Sequence, residues 1–470
     1  MRVTLHDYAT DPSLPQKDGV NLAHENIAAL LKERGDRGLD VRFHDFTRLL
    51  ADEDYARRVL SAADCVVSNV GPHAHYYFWL RERLGLDFRI LRDVRTAIWS
   101  SYLLQEHLCR AWLRPDDVLL VASHYTRGVY ERIFPHLAGL PTVRCYPLSV
   151  GFPSADGFRA RGARAGTRPR VVGYVGRLSE DKNFPDLVEL LIRLNLAEPG
   201  GYRLRACGDV HSPSCDPELV KRRIAAELGE GDWFEYLPAR PNSGVWELYD
   251  RFDVLVFPST SNLETLGRVL VEASHAGVPI VCGEHAAAPE LVPAGALCRV
   301  DYAQRCDYSA HFDHSLGRVR IDDMQRVLTA ATLEPSSCHL EYRTHPEKFM
   351  RVLRACAAGR RPEPEPLELA PAQQAFIDAL AVDLPAPLEA GAADVLLERL
   401  APWFVSLQRP GTPERAGLIA RLSEISRHPE RTARFVRKTV GTNADFTDVG
   451  GIDIELCHVA GFYPSFRLEG

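Results

Sequence analysis

At 470 residues the chain is longer than one hydrophobic core organises, so two or three domains are expected. It is 46% hydrophobic and 25% charged, the composition of an ordinary globular protein, and no apolar run approaches the roughly 20 residues of a membrane helix. The net charge of −7 gives no support to a nucleic-acid partner, and eleven scattered cysteines with no C-x-x-C pair argue against a disulfide framework or a zinc site.

The N-terminus, MRVTLHDYATDP, lacks a secretory signal, and a cytoplasmic location is expected. Residues 1–150 alternate short apolar strands with amphipathic stretches. Strands are predicted at Arg2–His6, Val41–His44, Cys65–Ser68, Phe88–Leu91, Val118–Ala122 and Thr142–Cys145. Helices are predicted at Leu22–Glu33, with Asn21 as N-cap, and at His75–Leu84. Strand and helix alternating at this pitch imply a parallel sheet wound on both faces. Residues 151–170, rich in Gly, Pro, Ser and Arg, read as a linker.

A second alternation follows over residues 171–360. Its strands are predicted at Val171–Val175, Arg203–Cys207, Trp233–Leu237, Asp253–Phe257 and Pro279–Cys282, and Asp216-Pro217-Glu218 marks a helix start. Further helices are expected at Asp322–Ala331 and Pro346–Ala357. RRPEPEPLELAP, Arg360 to Pro371, reads as an extended linker, and residues 372–470 as a mostly helical extension without a chemical motif. The fold class is therefore α/β: two doubly wound Rossmann-like domains facing across a cleft, plus this extension. Ligands of such sheets bind at the carboxyl ends of the strands.

Two stretches carry the chemistry. FPSTSNLETLGRVLVEASHAGVPIV, Phe257 to Val281, reads as strand, loop, helix, strand, with Glu264 before the helix and Glu272 on it. The amides of Thr265, Leu266 and Gly267 are expected as unpaired donors of the first helical turn, a ready anion site. Eight helical residues are about 80° past two turns, so Glu264 is expected off the helix, pointing into the cleft. VVGYVGRLSEDKNFPDLVELL sets Arg177 and Lys182 after a strand. Lys182 is the only lysine between Lys32 and Lys221, in a chain with six Lys among 56 basic residues. Arg binds phosphate bidentately and Lys as a compact charge; solvated loop residues are the plainer alternative for both. Asp52-Glu53-Asp54 spells D-x-D, but in a polar helical stretch, so it is read as a helix start and no catalytic metal is inferred.

The pairing of GRLSEDKN with PSTSNLETLGRVLVEASHAGVPIV resembles the retaining GT-B glycosyltransferases, family 4 (glycosyl transferases group 1), whose signature is two Glu separated by seven residues, as Glu264 and Glu272 are. The resemblance covers about residues 1–355. It implies a hexosyltransferase that moves a sugar from a nucleoside diphosphate (UDP or GDP) to an acceptor hydroxyl with retention, without metal or other cofactor. Arg177 and Lys182 would hold the diphosphate with the Leu266 and Gly267 amides. Glu264 would contact the sugar hydroxyls, and Glu272 the ribose. Gly19 would belong to a loop closing over the diphosphate, although relatives often have two glycines where this chain has Asp18-Gly19. Many relatives face the sugar with a His where RILRDV offers Arg92 and Asp93; His73 or His75 in GPHAHYY are alternatives. The partners implied are a nucleotide sugar and an unidentified acceptor. Peripheral membrane contact and homo-oligomerisation are compatible with the sequence, and nothing in it argues for either. Other functions on this fold are a nucleotide-sugar epimerase, a phosphorylase or a non-catalytic sugar-nucleotide-binding protein.

Overall fold

The structure, a computed structural model, describes residues 1–7, 19–34, 38–69, 74–95, 106, 109, 112–158, 169–303, 314–330 and 333–380. Its first six strands are β1 (Arg2–His6), β2 (Asp40–His44), β3 (Cys65–Ser68), β4 (Arg89–Asp93), β5 (Val118–Val121) and β6 (Thr142–Arg144). They form one parallel sheet in the order β2-β1-β3-β4-β5-β6. β3 and β5 are buried at every residue, because helices cover both faces and an alternating pattern would place polar groups in the core.

The second sheet is built from β7 (Arg170–Val175), β8 (Tyr202–Cys207), β9 (Phe234–Leu237), β10 (Val254–Phe257), β11 (Ile280–Gly283) and β12 (Leu297–Cys298). Its order is β12-β11-β10-β7-β8-β9. The strand order reverses between β7 and β10, which pair in parallel through Val172–Val254 and Gly173–Leu255. The loops leaving these two strands diverge and open a crevice at their carboxyl ends. An antiparallel pair, β13 (Val300–Tyr302) and β14 (Gly317–Val319), flanks this sheet.

Most expected elements occur within a residue or two. Asp216 caps the helix Pro217–Leu228 by accepting from the Glu218 and Leu219 amides. Asp52 caps the helix Glu53–Leu60 by accepting from Tyr55, so the D-x-D run is a helix start. Asn21 is not an N-cap: the helix runs Gly19–Arg34, and Asn21 lies inside its first turn.

The helix His345–Ala357 crosses back to the first sheet. Phe349, Met350, Leu353 and Cys356 share a core with Val3, Cys65 and Val67, and the Cys65 and Cys356 sulfurs are 3.5 Å apart. Residues beyond it continue along the first domain to the helix Pro371–Ala379. The rest of the expected helical extension, 381–470, lies outside the described residues. Among the described residues no helix is long and apolar enough to cross a membrane, and the described cysteines are unpaired thiols.

Candidate functional site

The reversal between β7 and β10 brings the two chemical stretches together. β7 ends into a turn holding Arg177 and Lys182; β10 ends into the loop holding Glu264. Lys182 Nζ forms an ion pair with Glu264, both side chains nearly buried at 12% and 11% exposure. Arg177 Nη2 donates to Asp181 Oδ2 at 3.0 Å. Burial works against ionisation of Asp181, yet the charges of Lys182 and Arg177 hold its carboxyl below the ordinary value. Two cations thus face two carboxylates.

Asn183 clamps this turn. It sits at φ 53, left-handed, as the N-cap residue of the helix Phe184–Ala197. Its Nδ2 donates to Pro258 O at 3.0 Å and Thr260 Oγ1 at 2.8 Å, tying the β7 turn to the β10 loop. Asn tolerates this backbone better than most residues.

The helix bearing Glu272 begins at Arg268, not at Thr265: it spans Arg268–His275, and Gly267 precedes it at φ 73. Thr265, Leu266 and Gly267 therefore form the approach to the helix rather than its first turn. Among the described residues the Leu266 and Gly267 amides have no acceptor. Glu264 lies off the helix, as the spacing argument requires.

Glu272 is 3% exposed. Tyr249 OH donates to its Oε2 at 2.9 Å, and Arg268 Nε donates to Oε1. Burial and the neighbouring carboxylate push the Tyr249 phenol up, so it stays a donor. Nη1 and Nη2 of Arg268 are buried without an acceptor among the described residues.

The first domain meets this loop directly. Ser123 Oγ donates to Thr265 O at 2.7 Å, and Thr265 Oγ1 donates to Arg95 O at 3.1 Å. Asp93, the last residue of β4, pairs with Arg95 through Oδ2 and leaves Oδ1 buried without a partner among the described residues. Burial raises its carboxyl above the ordinary value. Arg92 points to the other face of the strand, where Nε donates to Glu106 Oε1 at 3.0 Å and Nη1 to Ser68 O at 3.1 Å. Of the two candidates on RILRDV, Arg92 is locked in a structural ion pair, and Asp93 stands beside the Thr265 contact. His75 is buried at the start of the helix His75–Arg83. His73 lies outside the described residues. Gly19 opens its helix, and the loop before it lies outside the described residues.

A small recess adjoins Glu264 and is lined also by Leu266, Gly267, Gly283, His285 and Ala286. His285 donates or accepts through Nδ1 with Tyr302 OH at 3.1 Å, and burial lowers its imidazole to about 4. Asp181, Asn183, His285 and Ala286 escape sequence reasoning. Asn183 carries a partial signal as an N-cap residue type; an alanine with left-handed backbone carries none.

Residues 160–301 match the family described as glycosyl transferases group 1. The chain is 32% identical to the D-inositol 3-phosphate glycosyltransferase of Corynebacterium efficiens over 127 residues, 27% of this chain and 29% of that enzyme. It is 26% identical over 326 residues to the enzyme of the same name from Corynebacterium urealyticum, covering 64% and 75%. It is 30% identical over 194 residues to the glycogen synthase of Mycobacterium tuberculosis, covering 40% and 43%. Most of these matches therefore span less than half of the relative. The crystal structure of Anabaena HepE in complex with UDP and glucose superposes with a TM-score of 0.50 at 15% identity, covering 76% of this chain and all of that one. The likeness is one of fold: two Rossmann-like domains in the GT-B arrangement.

Proposed function

We propose that the protein is a retaining, metal-independent glycosyltransferase of family 4 type, transferring a hexose-type sugar from a UDP- or GDP-sugar to an acceptor hydroxyl in the cytoplasm. The observation that carries this reading is the meeting of Arg177, Lys182 and Glu264 at the β7–β10 crevice with the Leu266 and Gly267 amides, which have no acceptor among the described residues. The family match over residues 160–301 supports it.

In this reading Arg177, Lys182 and the two amides bind the diphosphate. The transition state is oxocarbenium-like, with negative charge growing on the departing phosphate. Donors already aimed at that charge supply the largest stabilisation. When the diphosphate draws Lys182 away, Glu264 is released to accept hydrogen bonds from sugar hydroxyls. Glu272 serves the ribose, Gly19, at the start of its helix, approaches the diphosphate from the first domain, and Asp93 faces the sugar from the same domain. The proton of the acceptor hydroxyl leaves with the phosphate.

A thermal-shift panel of UDP, GDP and their hexose conjugates, followed by product analysis with and without candidate acceptors in excess chelator, tests the proposal. Stabilisation by one nucleotide and its sugar, with transfer that survives chelation, is expected. Loss of transfer on chelation overturns metal independence; inverted product overturns retention; release of an epimer or a sugar phosphate overturns the transferase reading.

A further inference from the structure

The helix Pro371–Ala379 belongs to no part of the site described so far, yet it reaches that site. Gln373 is 3% exposed. Its Nε2 donates to Ala286 O at 2.7 Å and to Glu290 Oε1 at 2.9 Å, while its own Oε1 accepts from Ala370 N at 2.9 Å. Ala286 lines the recess beside Glu264 and is held at φ 50, one of two non-glycine residues with positive φ among the described residues. The other is Asn183. An alanine in this region is strained and persists only where its surroundings over-determine it.

Glu290 joins the same cluster to the first domain. Its carboxylate accepts from the His124 and Tyr125 amides at 2.9 and 2.8 Å, at the N-terminus of the helix His124–Ile133. Phe376, one turn beyond Gln373, packs against Tyr302 at 4.7 Å, His285 at 5.9 Å and Tyr125 at 6.0 Å between ring centroids. Gly128 lies directly against this segment: a Cβ there would stand 2.7 Å from Ile377 Cδ1, so that side chain would have to shift.

We propose that Gln373 is a positioning residue for the sugar half of the donor site, acting through the Ala286 carbonyl, with Phe376 holding His285 and Tyr302 behind it. This deepens the donor reading above and rests on it. The Pro371–Ala379 helix spans both domains, so it sets the recess wall and the first-domain grip with one amide group. Its Gln373 amide enters the second domain at Ala286 O and Glu290 Oε1, on the recess side of the crevice.

The test uses the full chain with Gln373→Ala and Phe376→Ala, and Gln374→Ala as a control on the exposed face of the same helix. In hydrogen–deuterium exchange, Gln373→Ala is expected to raise exchange over residues 283–291 by about tenfold, as for one lost buried hydrogen bond, with residues 170–183 unchanged. The dissociation constant for UDP- or GDP-hexose, whichever the wild type binds, rises by about tenfold, and that for the bare nucleotide stays within about twofold. Unchanged exchange over 283–291, or equal weakening of bare nucleotide and nucleotide sugar, overturns the proposal. A wild type that binds no nucleotide overturns the transferase reading instead, and the exchange arm still decides whether Gln373 holds the turn. Should Gln373→Ala fail to fold, Gln373→Met, of similar volume and without the amide, carries the same comparison.

Discussion

Lys182 and Glu264, 82 positions apart in sequence, form a nearly buried ion pair across the point where the second sheet reverses its strand order. Each residue is the other's counter-ion, and an arriving diphosphate competes for the lysine. The pair therefore makes opposite demands on its two members.

Lys182→Ala removes a charge matched to the departing phosphate and is expected to lower kcat by about 100- to 1000-fold. Glu264→Gln leaves Lys182 with one anion fewer. Nucleoside diphosphate should then bind as well or better, while turnover falls. Calorimetry with the bare nucleotide beside steady-state kinetics separates the two; loss of nucleotide affinity in Glu264→Gln would mean the carboxylate, not the lysine, organises the phosphate site.

The neighbours Arg92 and Asp93 should behave differently. Arg92→Ala strands Glu106, 2% exposed, as a buried unpaired carboxylate, which costs about 3–5 kcal/mol of stability. Asp93→Asn keeps an acceptor for Arg95, 6% exposed at its side chain, but removes its counter-charge, so it should cost about 1–3 kcal/mol, less than Arg92→Ala, and reduce turnover. Denaturant melts and kinetics on both variants check this. A stable but inactive Arg92→Ala would exchange their roles.

Glu272 needs a gentle substitution. Glu272→Ala would leave the Arg268 guanidinium, 12% exposed at its side chain, with no counter-ion. Glu272→Gln also removes the charge but keeps the side-chain volume and one acceptor for Tyr249 or Arg268, and is expected to weaken nucleotide binding while sparing kcat at saturation. A variant that binds nucleotide normally would remove Glu272 from the ribose.

Acid should unfold the protein early. Burial lowers His24 and His285 to about 4 and His44 to about 3, from 6.5. These rings are neutral when folded and become protonated in the unfolded chain below pH 6.5. The unfolded state then binds more protons, so stability falls as the pH drops from 6.5 towards 4. Each such ring contributes up to about 1.4 kcal/mol per pH unit in that window. Urea titrations at several pH values should show the slope, and His285→Gln should reduce it by close to one proton. A slope unchanged in His285→Gln would mean that ring is charged in the fold.

Gly208 is a point of close backbone contact beneath the site. It has φ +156, and a Cβ there would lie 1.8 Å from the Gly176 carbonyl. Gly208→Ala must push β8 from the end of β7 and should cost at least about 2 kcal/mol, with nucleotide binding weakened at the same time. A melt within 0.5 °C of wild type would show that the β7–β8 edge gives freely.

Strands and helices were legible because local rules govern them. β3 and β5 are apolar runs that only a two-sided sheet can bury, and Asp216 and Asp52 cap helices through contacts two or three residues away. Helix starts are less legible in the sequence. Asn21 and Thr265 both carry cap-like chemistry, yet one helix begins at Gly19 and the other at Arg268; before Arg268 the chain is held instead by Thr265, bonded to Ser123 and Arg95 of the first domain. Arg177, Lys182, Glu264 and Glu272 stood out by residue type and spacing alone.

Sequence by itself determined the two alternating α/β units, and with them the carboxyl-end location of the charged residues. Only the tertiary structure decided their partners. The reversal between β7 and β10 pairs Lys182 with Glu264; opposite faces of β4 separate Arg92 from Asp93; and the return of the chain after residue 357 brings Gln373 to Ala286. Such pairings depend on strand order and on crossings of the whole chain, which residue type and local periodicity do not encode.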